Sequence, residues 1–235
     1  MNKLIVVSGG TKGIGRAIVE EFVAKGFDAV VCARNGEELS QLKHELEKKY
    51  AGATVLVQVA NMAIKEQVKA FAQYVNALQR PVTVLVNNAG YFVPGEIATE
   101  EEGALEKMME ANLYSAYHLT RGLIMAMKAS KQGHVFNMCS IASIKAYANG
   151  GSYAITKFAL LGFSKCLREE LKQDGIRVTA ILPGATKTAS WDGVDLPDER
   201  FMHVKDVADI VYSSYALSSR SVVEEILIRP QLGDI

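Results

Sequence analysis

The chain has 235 residues, of which 49% are hydrophobic and 22% are charged, and its positive and negative side chains balance to a formal net charge of zero. This composition is typical of a soluble globular protein, and the balanced charge excludes the basic footprint of a nucleic-acid-binding domain. No apolar run approaches the roughly 18 residues that a membrane helix needs, so we expect neither a nucleic acid nor a membrane as partner.

Apolar runs of strand length alternate along the chain with longer segments of helical period. The first strand is predicted in KLIVVSG, and the following GRAIVEEFVAKG carries its apolar residues on one helical face. Later strands are predicted in DAVVCA, ATVLVQVA, VTVLVNNAG, HVFNMCS, IRVTAILPG and EEILIRP, and one extended helix is predicted over 102–130. Apolar strands that alternate with helices indicate a parallel sheet covered on both faces.

The predicted fold class is therefore α/β, with a doubly wound, Rossmann-like parallel sheet of about seven strands and helices on both faces. The sequence contains no linker, so residues 1–235 are predicted to form one domain. Parallel sheets of this kind bind ligands at the carboxyl ends of their strands. Four polar or glycine-containing turns follow predicted strands, at 8–15, 87–90, Ser140 and Pro183–Gly184. We expect them to converge on one edge of the sheet and form a site.

The first of these turns, SGGTKGIG, places Gly9, Gly13 and Gly15 between the first strand and the first helix. Glycine lets a ligand approach the backbone closely, and a helix N-terminus offers free N–H groups to a pyrophosphate. The spacing is GxxxGxG rather than the commoner GxGxxG, but its place after the first strand predicts a dinucleotide site.

The end of the second strand bears on the choice of dinucleotide. NAD-binding folds carry an acidic residue there, about 20 residues after the glycines, whereas this chain reads CARNGEE. Arg34 can bind a phosphate with two donors, and Lys12 adds a second positive charge. We predict that they select NADP(H) over NAD(H), the alternative being that both are solvated surface cations.

Tyr153 and Lys157 lie four residues apart and therefore on one face of a helix. A tyrosine has a pKa of about 10, which a nearby ammonium lowers toward the range useful for proton transfer. The pair is also compatible with a chance arrangement of a buried tyrosine beside a solvated lysine. The three cysteines, Cys32, Cys139 and Cys166, form no CxxC pair, which predicts a reducing cytoplasm and no metal site.

These motifs together resemble the short-chain dehydrogenase/reductase family. They are GGTKGIG, NNAG at 87–90, Asn112 in EANLYSAY, Ser140, Tyr153-x-x-x-Lys157 and Pro183-Gly184 followed by Thr188, in that order. The resemblance covers nearly the whole chain. The segments TASWDGVD and VVEEILIRP also resemble those of bacterial sepiapterin reductase-like members.

The resemblance implies a role for each predicted catalytic residue. Tyr153 would protonate a carbonyl oxygen, Lys157 would lower the pKa of Tyr153 and bind the nicotinamide ribose, and Ser140 would polarise the carbonyl. Asn112 would support a proton relay through Lys157. Two alternatives stay open at this stage: Ser143 is a rival of Ser140, and Asn112 is compatible with a purely structural role at a helix kink.

The resemblance also implies a set of cofactor contacts. These are Gly9, Thr11, Lys12, Gly13, Ile14, Gly15, Arg34, Val59, Asn88, Ala89, Gly90, Tyr153, Lys157, Pro183, Gly184, Thr186 and Thr188. Asn87, Ala89 and Gly90 would line the adenosine side and stabilise the central sheet. Family members often have an acid after the third strand, and here Gln58 is taken to stand in its place.

The expected substrate is a small-molecule carbonyl compound, such as a pterin side chain or a dicarbonyl. Its predicted contacts are Ser140, Ile141, Tyr147, Tyr153 and Trp191, joined by Met202, Asp192 and Asp195, although Trp191 is equally compatible with packing on the core. A 3-oxoacyl-[acyl-carrier-protein] reductase is an alternative, disfavoured by the lack of a VDGG ending. A non-catalytic nucleotide-sensing protein is a second alternative, disfavoured by the four retained catalytic residues. Apolar helices near 103–130 and 153–173 predict a homodimer or homotetramer.

Overall fold

A computed structural model describes residues 2–191 and 193–235 of the chain. Its core is a parallel sheet of seven strands in the order β3-β2-β1-β4-β5-β6-β7. The strands are β1 (Leu4–Ser8), β2 (Asp28–Ala33), β3 (Val55–Val59), β4 (Val82–Asn87), β5 (Gly133–Met138), β6 (Ile176–Pro183) and β7 (Glu225–Ile228). The predicted fold class and the strand count are confirmed.

Helices cover both faces of the sheet. They are α1 (Gly13–Ala24), α2 (Gly36–Lys49), α3 (Lys65–Ala77), α4 (Ala104–Met109), α5 (Ser115–Ser130), α6 (Gly151–Leu171) and α7 (Val204–Ala216). Helices α1, α2 and α7 pack on one face, and α3, α5 and α6 pack on the other. Within the described residues, no helix combines the length and the apolar character needed to cross a membrane.

The alternation of side chains along β1 shows why the strands are apolar throughout. Ile5 and Val7 belong to the core on one face, Leu4 and Val6 belong to the core on the other, and all four have no exposed surface. Burying a side chain of this size contributes about 1.5–3 kcal/mol. A polar substitution in β1 would therefore disturb one of two cores, whichever position it occupied.

The strand order places the site. The chain runs from β1 through β2 to β3 on one side and then continues from β4 on the other side of β1. The loops after β1 and β4 consequently leave the sheet in opposite directions and open a crevice at the carboxyl ends of these strands. The glycine turn follows β1, so it lies at this crevice.

The extended helix predicted over 102–130 is interrupted. Between α4 and α5, residues Glu110–Tyr114 form a single π-helical turn. Such a turn inserts an extra residue into the helix and often marks a functional position. The inserted turn contains Asn112.

Candidate active site

The glycine turn forms a cradle that has no room for side chains. Gly9 and Gly13 have φ angles of +70° and +54°, which other residues rarely adopt. A Cβ atom at Gly15 would lie 2.3 Å from the carbonyl oxygen of Gly9. The N-cap residue of α1, Lys12, makes no side-chain capping bond, so the first N–H groups of this helix point into the crevice without such a partner among the described residues.

The end of β4 braces this turn. Asn88 Nδ2 donates to the carbonyl oxygens of Ser8 at 3.1 Å and Gly9 at 2.8 Å. The Ser8 hydroxyl in turn accepts from the backbone N–H groups of Asn88 and Ala89, both at 3.1 Å. The side chain of Asn88 is therefore committed to holding the glycine turn. The contribution of Ser8 was not predicted, although a polar residue at the end of an apolar strand is a signal for it.

Asn87 does not line the crevice. Its side chain is 3% exposed and donates to Thr120 Oγ1 at 2.9 Å and to Asn137 Oδ1 at 2.8 Å. The prediction that Asn87 faces the adenosine is wrong, because the residue still belongs to β4 and its side chain points into the layer between the sheet and α5. The predicted role in stabilising the central sheet agrees with these contacts.

Ser140 follows β5 and begins a short 3₁₀ turn, Ile141–Ser143. The Ser140 hydroxyl accepts from the backbone N–H of Ala142 at 3.1 Å and lies beside the crevice, 9% exposed. Ser143 is only 1% exposed, and its hydroxyl accepts from the backbone N–H of Ser140 at 3.2 Å. Of the two rival serines, only Ser140 is placed to meet a ligand.

Tyr153 lies in the first turn of α6, with its ring packed edge-on against Phe92 at 4.8 Å between centroids. Burial raises the pKa of Tyr153 above its ordinary value, while hydrogen bonding to the Ser140 side chain acts in the opposite direction. Ser140 and Tyr153 are thus brought together, as the sequence predicts. The phenol is held in its protonated, proton-donating form at neutral pH.

Lys157 lies one helical turn further along α6, and its ammonium is 5.7 Å from the centre of the Tyr153 ring. Lys157 Nζ donates to the carbonyl oxygen of Met138, at the end of β5, at 2.8 Å. Burial lowers the pKa of Lys157 to about 8. The predicted lowering of the Tyr153 pKa is not what these side chains produce. The pKa of Tyr153 is raised, because burial of the phenol outweighs the hydrogen bond with the Ser140 side chain.

Asn112 bridges three segments from the π-helical turn. Its Oδ1 accepts from the backbone N–H of Tyr91 at 2.9 Å, and its Nδ2 donates to the Tyr91 carbonyl and to Thr156 Oγ1, both at 3.0 Å. A Cβ atom at Gly90 would lie 2.8 Å from Asn112 Oδ1 and 3.8 Å from Lys157 Nζ. Asn112 and Lys157 therefore meet at Gly90, and the glycine is what leaves room for both.

The two predicted phosphate-binding cations differ in their surroundings. Lys12 Nζ pairs with Glu38 Oε1 at 2.8 Å, and this contact is the main reason why the pKa of Glu38 is lowered, with Thr11 helping. Arg34 is exposed directly after β2. Val59, at the end of β3, is 56% exposed, whereas Gln58 lies within the strand opposite Cys32. Asn61 follows β3, and its Oδ1 accepts from the backbone N–H of Ala63 at 3.1 Å.

The turn after β6 reaches back over the glycine cradle through Thr188. A Cβ atom at Gly13 would lie 3.2 Å from Thr188 Cγ2, so Thr188 and the start of α1 are neighbours. Gly184 donates its N–H to the Ile228 carbonyl at 2.8 Å, directly after the buried Pro183. Thr186 is 4% exposed and donates its hydroxyl to the Gly184 carbonyl. The side chain of Thr186 is therefore engaged within the turn, and the contact of Thr186 with the cofactor stays a prediction.

The predicted substrate residues separate into two groups. Ile141 and Tyr147 flank the serine and the tyrosine, and the pKa of Tyr147 is raised to about 12 by burial and by the charge of Tyr153. Trp191 packs against Phe201 at 5.2 Å, which agrees with the alternative that it anchors its segment. Met202 is 7% exposed and belongs to the hydrophobic core, so its predicted place in the pocket is wrong. Asp195 is exposed, and Asp192 lies outside the described residues.

Asp234 joins the two segments that flank the predicted substrate pocket. Its carboxylate accepts from Lys145 Nζ at 3.2 Å and from Arg229 Nε at 2.8 Å, and its carbonyl accepts from Arg200 Nη2 at 3.2 Å. Lys145 belongs to the segment after Ser140, and Arg200 belongs to the segment after Gly184. Sequence reasoning missed this residue, because an acid near the end of the chain carries no local signal for such contacts.

The cradle and the side chains around it fit a dinucleotide. The glycine turn leaves space only for backbone, Thr188 closes it from above, and Val59 presents an apolar surface at its far end. A sheet with this cradle at its switch point, and with a serine, a tyrosine and a lysine at the neighbouring strand end, defines the Rossmann-like class of oxidoreductases.

Comparison with known proteins identifies the family within this class. The family model described as short chain dehydrogenase matches residues 3–197. The chain belongs to the short-chain dehydrogenase family, and it is an oxidoreductase. The sepiapterin reductase of Chlorobaculum tepidum is 30% identical in an alignment 241 residues long. The alignment covers 100% of this chain and 99% of that protein.

Solved structures agree over nearly the whole chain. An alcohol dehydrogenase from the archaeon Thermococcus sibiricus, complexed with 5-hydroxy-NADP, superposes with a TM-score of 0.92 at 25% identity, covering 98% of this chain and 97% of the other. The L-sorbose reductase of Gluconobacter frateurii, complexed with NADPH and L-sorbose, superposes with a TM-score of 0.90 at 28% identity. The match covers 97% of this chain and 95% of the other. Both likenesses include the sheet edge that carries the candidate site.

Proposed function

We propose that the protein is an NADPH-dependent reductase that converts the carbonyl group of a small molecule into an alcohol. One observation carries this proposal: Ser140, Tyr153 and Lys157 converge at the carboxyl end of β5, beside the glycine cradle. The cofactor would supply the hydride, and the protein would supply orientation and the proton. The solved relatives that hold NADP or NADPH support the choice of cofactor.

Each of the three residues has a distinct role in this proposal. The Ser140 hydroxyl holds and polarises the substrate carbonyl, and Tyr153 donates a proton to the carbonyl oxygen. The raised pKa of Tyr153 suits an acid, because the phenol keeps its proton across the neutral range until the substrate takes it. Lys157 binds the ribose next to the nicotinamide and returns a proton toward Tyr153, while Asn112 fixes the chain on both sides of this route.

We propose that the cofactor is bound by the glycine cradle, with Lys12 and Arg34 recognising the 2′-phosphate. Ala33 ends β2 at the position where NAD-binding folds carry an acid. NADPH should therefore bind more tightly than NADH, and Ala33→Asp should shift the preference toward NADH. Titration of both cofactors against both proteins tests this, and equal dissociation constants in the wild-type protein would contradict it.

For the substrate, we propose a carbonyl on a pterin side chain or in a dicarbonyl compound. The full-length similarity to a sepiapterin reductase and the aromatic residue Tyr147 beside Tyr153 support it. The test is a panel of sepiapterin, diketones, acetoacetyl thioesters and steroids with NADPH, read by loss of absorbance at the nicotinamide band. Turnover of the thioesters alone would favour an acyl-carrier-protein reductase instead.

Tyr153→Phe is the decisive control for this panel. The variant keeps the ring that packs against Phe92 and removes the proton donor. Turnover should fall by a factor of about 10²–10⁴. A protein that binds NADPH but oxidises it with no carbonyl compound would instead support a nucleotide-sensing role.

We also propose that α5 and α6 pair with those of a second copy in a homodimer or homotetramer. Met125 of α5 and Phe158 of α6 expose 71% and 46% of their surface. A groove of about 850 Å³ is lined by Tyr117 of α5 and Phe163 of α6, together with Tyr114. Exposed apolar patches of this kind mark interfaces. In light scattering, Phe158→Glu should be a monomer, whereas Leu232→Glu should keep the oligomeric state of the wild-type protein. A monomeric wild-type protein would contradict the pairing.

A cytoplasmic location is also proposed. Cys32, Cys139 and Cys166 are all free thiols, the first two buried and the third exposed. Reducing compartments keep thiols in this state. Fractionation of cells that express the tagged protein, with a periplasmic or secreted marker as control, would test it.

A further inference from the structure

The helix that carries Tyr153 and Lys157 begins without a cap of its own. Its N-cap residue is Gly150, which has no side chain, and its first turn contains no acidic residue. In α2, by contrast, the Asn35 side chain accepts from the N–H groups of Glu37 and Glu38. Because the first N–H groups of a helix have no partner within it, the start of α6 depends on an acceptor from elsewhere.

Glu100, from the segment that connects β4 to α4, provides this acceptor. Its carboxylate accepts hydrogen bonds from the hydroxyl of Ser152 and, at 3.4 Å, from the backbone N–H of Ser152. Hydrogen bonds to an ionised carboxylate are about twice as strong as neutral ones. The negative charge also lies at the positive end of the helix dipole, which stabilises the helix start.

The same segment touches the start of α6 at two further points. The N–H of Gly95 donates to the Asn149 carbonyl at 3.0 Å, and the ring of Phe92 packs edge-on against Tyr153. A Cβ atom at Gly151 would lie 2.3 Å from the carbonyl oxygen of Gly95, so the backbones of these two segments are in direct contact. Glu100 thus completes a clamp, formed by residues 92–100, around the turn that holds Tyr153.

We propose that Glu100 is a positioning residue for the reaction: through Ser152, it fixes the first turn of α6 so that the Tyr153 hydroxyl stays beside Ser140. This rests on the proposed reductase function, in which Tyr153 donates the proton. Ser152 precedes Tyr153 directly in the chain, so a shift of the helix start moves the phenol with it. A misplacement of about 1 Å costs a factor of about 10² in rate.

The test compares Glu100→Ala, Glu100→Gln, Ser152→Ala and the Glu100→Ala/Ser152→Ala double variant. We expect Glu100→Ala to lower kcat by a factor of about 10–10² and to change the KM for NADPH much less, because the glycine cradle lies outside α6. Glu100→Gln keeps the shape and one acceptor oxygen but loses the charge, so it should restore part of the rate. The double variant should be no slower than Glu100→Ala, since both changes remove one contact. Glu102→Ala, an exposed acid of the same segment, is the matched control.

Three results would overturn the proposal: a wild-type kcat in folded Glu100→Ala, fully additive losses in the double variant, or an equal loss in Glu102→Ala. Hydrogen–deuterium exchange of residues 151–157 provides a readout that does not depend on turnover. Faster exchange in Glu100→Ala than in Glu102→Ala is expected, and unchanged protection would also overturn the proposal. A wild-type protein that reduces no carbonyl compound would refute the proposed function, while the exchange experiment would still decide whether Glu100 holds the helix start.

Discussion

The ammonium of Lys12 lies 2.8 Å from Oε1 of Glu38, in the first turn of α2. A residue predicted to bind the 2′-phosphate of the cofactor is therefore engaged by a carboxylate of the same crevice. Lys12 is 68% exposed, so the pair is a surface ion pair and contributes little to stability. Binding of a phosphate has to displace Glu38 or share Lys12 with it.

The first prediction is that Glu38→Gln strengthens the binding of NADPH. Removing the competing charge should lower the dissociation constant for NADPH by a factor of about two to five, which corresponds to an exposed ion pair. NADH lacks the 2′-phosphate and should bind as before. Glu37→Gln, one residue away and exposed, is the control. An equal gain for NADH would show that Lys12 does not read the phosphate.

The second prediction concerns the pH dependence of carbonyl reduction. The pKa of Tyr153 is raised, so the phenol remains protonated, whereas the pKa of Lys157 is lowered to about 8. As the pH rises through about 8, Lys157 loses the proton that replenishes Tyr153. The rate should therefore be constant at lower pH and fall about tenfold per unit above that value.

Lys157→Met tests this assignment. The variant removes the titrating group, so the break near pH 8 should disappear, and kcat should fall by a factor of about 10²–10⁴. The measurement is the pH profile of kcat/KM with saturating NADPH. A variant that keeps the wild-type rate and profile would contradict the role of Lys157.

The third prediction separates the roles of Asn112 and Thr156. Asn112→Ala removes three hydrogen bonds that join the Tyr91 backbone to α6, leaving buried groups unpaired. It should lower the free energy of unfolding by about 1–3 kcal/mol and also reduce kcat. Thr156→Val removes one of these bonds together with the bond from Thr156 Oγ1 to the Tyr153 carbonyl. It should have the smaller effect on both the free energy of unfolding and kcat. Denaturant unfolding and steady-state kinetics provide the two measurements.

The fourth prediction is that two Gly→Ala substitutions have opposite effects, one disturbing the cradle and the other stabilising a helix. At Gly15, the new Cβ would lie 2.3 Å from the Gly9 carbonyl oxygen, so the cradle must deform, and NADPH binding should weaken at least tenfold. At Gly162, within α6, an added Cβ atom would meet nothing within 4 Å apart from its own helix, and alanine should stabilise the helix by about 1 kcal/mol. Thermal unfolding with and without NADPH measures both effects. Equal behaviour of the two variants would contradict the close packing of the cradle.

The fifth prediction concerns an ion pair at the opposite edge of the sheet. Asp28 and Arg80 are 2.7 Å apart, with side chains 7% and 14% exposed. Burial raises the pKa of Asp28, but bonds from the Thr54 N–H, Asn2 and Arg80 outweigh burial and hold this pKa below its ordinary value. The folded state therefore gains stability from Asp28 above about pH 4, and this gain is lost as the pH falls through the lowered pKa.

Asp28→Asn should lower the free energy of unfolding at neutral pH by about 3 kcal/mol, because it leaves a buried guanidinium without its charge partner. The difference from the wild-type protein should shrink below about pH 4. Asp209→Asn removes an exposed pair with Lys205 and should leave stability nearly unchanged. A constant difference across the pH range would contradict the assignment.

The sequence predicts the sheet because its signals are local. Each strand is an uninterrupted apolar run bounded by a turn, and each helix has a continuous apolar face, so the edge that carries the four turns follows from the alternation alone. The π-helical turn was not predicted, because the inserted residue hardly changes the helical period of 102–130. Its position is determined by the contacts of Asn112 with Tyr91 and Thr156, which are distant in sequence.

Residues at strand ends are where prediction is least secure. Asn87 and Asn88 are adjacent, yet one points into the core and the other onto the glycine turn, because side chains alternate along a strand. Ser140 and Ser143 differ for a similar reason, since one begins the 3₁₀ turn and the other is buried beneath it. Glu100 and Asp234 act across 52 and 89 residues of chain, and no local pattern marks such contacts.

The packing of Trp191 against Phe201 has a practical consequence. Trp191 is the only tryptophan of the chain. It lies in the segment between Thr188 and Arg200, and Arg200 donates to the Asp234 carbonyl. The tryptophan emission of the protein, excited above the tyrosine band, therefore reports on this single segment. A ligand that moves the segment should change this emission in the unlabelled protein, and Phe201→Leu should alter the signal without changing the glycine cradle.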